Sequence, residues 1–341
     1  MSAASAVLPA LATGRDRRIT LGLTALLAAL ATMGLLLGQL SLNPWRTLAD
    51  LLGGDPRLAV IVLEIRLPRV ILGLLVGASL GLSGAALQGL LRNPLAEPGI
   101  LGVSASAGLG AVLALYFGLA QVTLWALPGC ALLGALAATL FLALLAMRDA
   151  SPMSLILAGV AVSSLAIALT SLALNLAPNP LALSEMVLWL LGSLRDRGMS
   201  DVALATPFMA VGWALLLSAG RELDALTLGE DAARSLGVGL GWLRARVIGG
   251  TALTVGAATA VTGSVGFVGL IAPHLLRPWV GYQPSRVLWP SALAGAALLA
   301  AADLAVRLIP THQELMLGVV TALLGVPFFV HLLLRARRTL P

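Results

Sequence analysis

Apolar runs of about twenty residues, repeated down nearly the whole chain, constrain the fold before any motif is read. A bilayer offers no water to backbone amides, so each run must satisfy its own hydrogen bonds, and a helix does this within one segment. Residues 19–40, 66–91, 104–120, 124–147, 154–176, 202–219, 247–265, 287–308 and 315–334 are such runs. A further one, after residue 265, is cut short by Pro273 and by Arg277-Pro278. The reading is an all-α polytopic membrane protein with ten transmembrane helices. With 59% hydrophobic and 11% charged residues, the 341-residue chain leaves no stretch for a soluble domain. Residues 1–18 read as a cytoplasmic tail and 19–341 as a single transmembrane domain, with cytoplasmic helices at about 221–240.

The charges set the orientation. All 21 basic residues are arginine. A Walker-type phosphate loop needs a lysine, so this chain is not itself such an ATPase. With ten spans, both termini share one side, and 14 arginines (15, 17, 18, 92, 148, 221, 234, 244, 246, 277, 286, 335, 337, 338) fall there against seven (46, 57, 66, 69, 195, 197, 307) on the other. By the positive-inside rule both termini are cytoplasmic. The net charge of +6 then reports topology and gives no sign of nucleic-acid binding. Cys130 is a lone cysteine in an apolar run, and His274, His312 and His331 are scattered, so no metal-ligand spacing exists.

Residues 221–246 are the one long charged interruption. Thr227-Leu228-Gly229-Glu230 has capping-box spacing, which predicts a helix from Leu228 with Thr227 and Glu230 exchanging backbone hydrogen bonds. Gly237 is placed to close it in the left-handed conformation. Glu230 and Asp231 at its start and Arg234 near its end complement the helix dipole, and Glu230 and Arg234 stand four residues apart. Leu228, Ala232 and Leu236 share one face. Two readings fit: an ordinary amphipathic surface helix, or a docking helix for a cytosolic partner.

Elsewhere, Gly73, Gly77 and Gly81 recur every fourth residue and offer a smooth stripe for close helix packing. The loop at 92–99 holds two prolines and a glycine. The fifth span carries Ser163, Ser164, Thr170, Ser171 and Asn175, which either bond to preceding carbonyls or wall a pathway. Arg66, Arg69 and Arg307 sit at outer helix ends, as snorkelling anchors or as a docking surface for an acidic partner. Asp303, one turn before Arg307, is positioned to pair with it. A short echo between RLPRVILG (66–73) and RARVIGG (244–250) suggests an inverted repeat.

Taken together, RLPR (66–69), GLSGAALQGLLRNPLAEPGILGVSASAG (81–108), LAGVA (157–161), LGEDAARSLG (228–237), GFVGLIAPHLLR (266–277), LAGAALLAAADLAVR (293–307) and ELMLGVVTALLGVPFF (314–329) resemble the FecCD-type permeases. These are membrane subunits of type II ABC importers for iron-siderophores, haem and cobalamin. The resemblance implies the type II importer permease fold, a homodimer, two cytosolic ATPase subunits and a periplasmic binding protein. It further implies a multi-pass protein of the bacterial inner membrane. ATP and magnesium would be bound by the partner ATPase, and no cofactor by this chain.

It assigns ATPase docking to Leu228, Gly229, Glu230, Asp231, Arg234, Leu236 and Gly237. Binding-protein docking falls on Arg66, Arg69 and Arg307. The cytoplasmic gate falls on Asn93, Leu95 and Ser151, with Ser163 and Ser164 beside the pathway. Pro152 stands where some relatives carry a hydroxyl, which departs from the pattern of that second gate. The expected cargo is a ferric siderophore or haem, with cobalamin as the alternative. An ion-coupled secondary transporter would need acidic or histidine residues deep in the spans, and only Asp303 and His274 offer themselves. A membrane enzyme would need convergent nucleophile, acid/base or metal groups, and the spans hold none.

Overall fold

The computed structural model describes residues 14–37, 60–123, 125–147, 151–309 and 314–337. Arg46, Arg57, Arg148, His312, Arg338 and most of the N-terminal tail lie outside these residues.

The apolar runs are helices, and no strand occurs among the described residues. In order they are α1 (Gly14–Leu36), α2 (Leu67–Leu90), α3 (Val103–Tyr116), α4 (Ala126–Met147), α5 (Pro152–Asn175), α6 (Pro180–Leu190), α7 (Met199–Ser218), α8 (Gly220–Leu226), α9 (Glu230–Ser235), α10 (Leu240–Thr262), α11 (Val268–Val280), α12 (Pro284–Leu308) and α13 (Leu317–Arg337). A π-helical turn, Ile61–Arg66, runs into α2, a 3₁₀ turn, Pro98–Leu101, precedes α3, and a single helical turn, Leu119–Val122, follows it. Among the described residues, six helices are long and apolar enough to cross a membrane: α1, α2 with its π turn, α4, α5, α7 and α12.

Small residues bring the central helices together. α2 and α12 form the closest pair. A Cβ added at Gly77 would lie 2.4 Å from the Gly295 carbonyl oxygen, and one at Gly81 would lie 2.1 Å from that of Ser291. The glycine stripe therefore works as backbone-to-backbone contact, with Gly73 facing Leu194 instead. Two side-chain hydrogen bonds cross this core, while Thr251 Oγ1 and Ser291 Oγ are buried in it without a hydrogen-bond partner among the described residues. Trp213 Nε1 donates to Ser79 Oγ at 2.9 Å, and Ser83 Oγ lies 2.7 Å from Thr254 Oγ1, tying α2 to α7 and α10. α1 lies at the periphery against α12, with 6% of its apolar window buried.

α1 reaches back to Gly14, where buried Asp16 takes a bidentate pair from Arg286 at 2.7 and 2.9 Å. Two expectations need correction. The prolines do not cut α11 short: Pro273 and Pro278 both lie inside it. Pro273 has no N–H to give the Gly269 carbonyl four residues back, and Gln88 Nε2 donates there at 3.4 Å instead. The second concerns residues 227–236 and is described with the site.

The helices place two groups of polar residues at opposite ends of the bundle. One end carries the start of α2, the end of α12 and the 193–198 turn. The other carries the 91–98 loop, α8, α9 and the starts of α1, α10 and α12. The echo segments at Arg66 and Arg244 thus enter from opposite ends, each with a buried arginine.

Candidate functional site

At the second end, the charged interruption folds as two short helices joined by a turn. Thr227 caps the C-terminus of α8 and its Oγ1 donates to the Asp224 carbonyl at 2.7 Å. It cannot then open the next helix. Gly229, at φ +105°, takes that place without a side-chain cap, so α9 begins at Glu230 and the capping box is absent. The predicted end is present. Gly237 sits at φ +85°, Val238 N–H reaches the Ala233 carbonyl at 3.0 Å and Gly237 N–H that of Arg234 at 2.9 Å, a Schellman closure.

Freed from capping, the Glu230 carboxylate anchors α9 to α10. It accepts from Arg244 Nη2 at 2.8 Å, whereas Arg234 stands 3.8 Å away and lies closer to Asp231, at 3.3 Å. Arg246 pairs with Glu222 of α8. Asp224 accepts from Ser285 N–H at 2.8 Å, Ser285 Oγ at 2.6 Å and Gln283 Nε2 at 2.7 Å, and so caps α12 from outside. Three large apolar side chains of this anchored segment face outward: Leu228 at 68%, Leu236 at 65% and Trp242 at 72% exposure. Sequence reasoning missed Trp242, Arg244 and Asp224. An exposed tryptophan at a helix start was visible, but the two anchors depend on residues far apart in the chain.

The 91–98 loop lies at the same end. Asn93 Oδ1 accepts from Leu95 N–H at 2.9 Å, which folds the loop on itself. Buried Gln88 holds it, donating to the Ala96 carbonyl at 3.2 Å while accepting from Arg277 Nη2 at 2.7 Å. Glu97 Oε1 accepts from Phe267 N–H at 2.8 Å, and Phe267 is held at φ +67°. Burial pushes the Glu97 carboxyl above its ordinary value, and the Phe267 amide offsets that only in part. It borders a 190 Å³ cavity that reaches Ser264 and Gly269.

Ser151 caps the N-terminus of α5, accepting from Ser154 N–H at 3.1 Å. Ser163 is half-buried with Oγ 3.4 Å from the Gly99 carbonyl, and Ser164 is exposed. A 630 Å³ groove, largely apolar, runs between Leu190, the Ser264-to-Phe267 turn and α13.

At the first end, Arg66, Arg69 and Arg307 come together, but their guanidinium groups turn inward. Arg307 Nε donates to Asp303 at 2.8 Å, as the one-turn spacing anticipated, and its Nη1 to the Gly34 carbonyl at 2.9 Å. Arg69 pairs with Asp303 at 2.8 Å and also with Glu314. Arg66 Nη1 donates to the Leu35 and Leu36 carbonyls, both at 2.9 Å. The three are therefore structural ties as well as candidates for docking. They line a 420 Å³ pocket with Arg195, Arg197, Glu64, Asp196 and Glu314.

Comparison with known proteins fits this arrangement. The model of the FecCD transport family matches residues 26–335. The chain belongs to the FecCD transport family. Its relatives in that family include the uncharacterized ABC transporter permease protein YvrB of Bacillus subtilis (strain 168), 44% identical over 83% of this chain and 81% of that one. The vitamin B12 import system permease protein BtuC of Shigella boydii serotype 18 is 42% identical over 92% of this chain and 94% of its own. A solved transporter described as of metal-chelate type, in an inward-facing conformation, superposes with a TM-score of 0.84 at 33% identity, covering 94% of this chain and 99% of that one. This FecCD chain is thus an ABC importer permease with the type II fold, a multi-pass protein of the bacterial inner membrane.

Proposed function

We propose that this permease works as a homodimer, with two cytosolic ATPases at the end bearing α8 and α9 and a periplasmic binding protein at the other, importing a bulky metal chelate by alternating access. One observation carries the reading: the segment from α8 to the start of α10 exposes Leu228, Leu236 and Trp242 and is bolted to the spanning helices through Glu230 and Arg244 and through Asp224 and Ser285. Exposed apolar groups on a rigid, charged mount suit a protein partner. The arginine bias favours this end as cytoplasmic. Both termini and the Asn93-to-Leu95 and Ser151 gate would share that side. The largely exposed α5 and the 630 Å³ groove along α13 would border the dimer pathway, with Ser163 and Ser164 on it.

Glu230→Arg, in proteoliposomes with the ATPase, should abolish ATPase binding and ATP-driven uptake. Intact uptake would refute the docking role.

Cargo is the second part of the reading. The vitamin B12 import system to which BtuC belongs brings cobalamin ahead of the ferric siderophore or haem expected from the motifs. All are large chelates, and a groove with few polar groups suits passage better than recognition. Uptake of cyanocobalamin, haem and ferric siderophores by the reconstituted complex discriminates among them.

A further inference from the structure

Arg197 is a cation with no ion pair in a pocket whose other arginines are engaged. Five arginines line the 420 Å³ pocket against Glu64, Asp196 and Glu314. Asp303 beneath it is shared by Arg69 and Arg307, and Glu314 is taken by Arg69. At the surface Arg195 pairs with Asp196 at 3.3 Å. With Asp201 close to Arg197, five arginines stand among five carboxylates, so the charges balance and it is the bonding that is uneven.

Arg197 is where the bonding falls short. Its Nε is buried without a hydrogen-bond partner. The two carboxylates whose charge reaches it are occupied elsewhere, Asp196 by Arg195 and Asp201 by the Gly198 N–H at 2.9 Å, where it caps α7. Burial therefore pushes the Arg197 guanidinium below its ordinary value despite both. The turn that presents it is fixed by Asp196 at φ +57° and by the Arg195 N–H donating to Ser193 Oγ at 3.0 Å.

The chemistry of the missing partner follows from the lining. It is anionic, because it must accept from a guanidinium Nε that no carboxylate among the described residues bonds. A singly charged carboxylate fits better than a phosphate dianion, because Glu64, Asp196 and Glu314 repel a second negative charge. The lining residue Ile65 is 58% exposed and the Asp196 side chain 85%, so the pocket opens at the surface of the bundle, where a protein partner can reach it.

We propose that Arg197 receives a carboxylate side chain of the binding protein that docks on this end. The proposal rests on the reading above that this end faces the periplasm. It adds to Arg66, Arg69 and Arg307 a residue whose guanidinium has no internal carboxylate to give up on docking.

The test measures capture of the binding protein encoded alongside this chain by the full permease–ATPase complex in nanodiscs. Arg197→Glu should weaken capture about 30-fold or more, mostly through faster dissociation, and Arg197→Lys should stay within about threefold of the parent. Reversing one acidic residue on the binding protein should restore capture by Arg197→Glu. Unchanged affinity in Arg197→Glu, with the parent binding normally, overturns the proposal and leaves the docking reading standing. No capture by the parent complex overturns both. If Arg197→Glu fails to assemble, acidic residues of the binding protein are reversed singly against the unchanged permease. Absence of any salt-dependent loss there also overturns the proposal.

Discussion

Asp303 shows what single residues contribute here. Its carboxylate is 3% exposed and holds both Arg69 and Arg307. Breaking a buried pair strands the partner charges, so Asp303→Asn should cost about 3–5 kcal/mol, read as a lower unfolding midpoint in detergent. Glu97, in the loop outside the spans, gives a pH prediction. Its folded pKa is raised by burial, so the folded state binds more protons than the unfolded one between the ordinary value and the raised one. The stability it contributes is present at low pH and lost as pH rises through the raised value. Melting temperature should fall over that window, and Glu97→Gln should remove the fall. Residue by residue, the Asp303 and Arg307 pair was legible because a single turn separates them. Glu97 with Phe267, or Asp16 with Arg286, joins positions 170 and 270 apart, and no local spacing marks such a pair.

Among elements, the helices were legible because a bilayer-length apolar run has one physical solution. Their seams were legible too, where glycine recurred every fourth residue. Gly81→Ala would force a Cβ to 2.1 Å from the Ser291 carbonyl oxygen, so the α2 and α12 seam must open at a cost of roughly 1–3 kcal/mol. Gly249→Ala, with nothing within 4 Å, should instead be neutral or gain up to about 1 kcal/mol in the same unfolding assay.

What could not be read was the division of 220–235 into two helices. Thr227 fits an N-cap by spacing, yet the preceding residues 220–226 already form a helix that claims it as a C-cap. Prolines misled for a related reason: the Gln88 donor that tolerates Pro273 comes from another helix. Gly237→Ala strains the Schellman closure by about 1 kcal/mol and should weaken ATPase binding without loss of fold.

On the scale of the molecule, the family was legible from motifs spread along the chain, whereas cargo was not, because the groove presents few polar groups. α12 is fixed at both ends of the bundle. Asp224 of α8 caps its first turn, and Asp303 and Arg307 lock its last. Asp224→Ala should therefore leave ATP hydrolysis in place while uptake drops on the order of tenfold.

At 25 residues α12 is about 37 Å long. It is a lever arm: a tilt of about 5° about the Asp224 end sweeps Arg307 through roughly 3 Å. That distance separates a formed ion pair from a broken one, so a small movement at the nucleotide side is enough to make or release a grip on the opposite face.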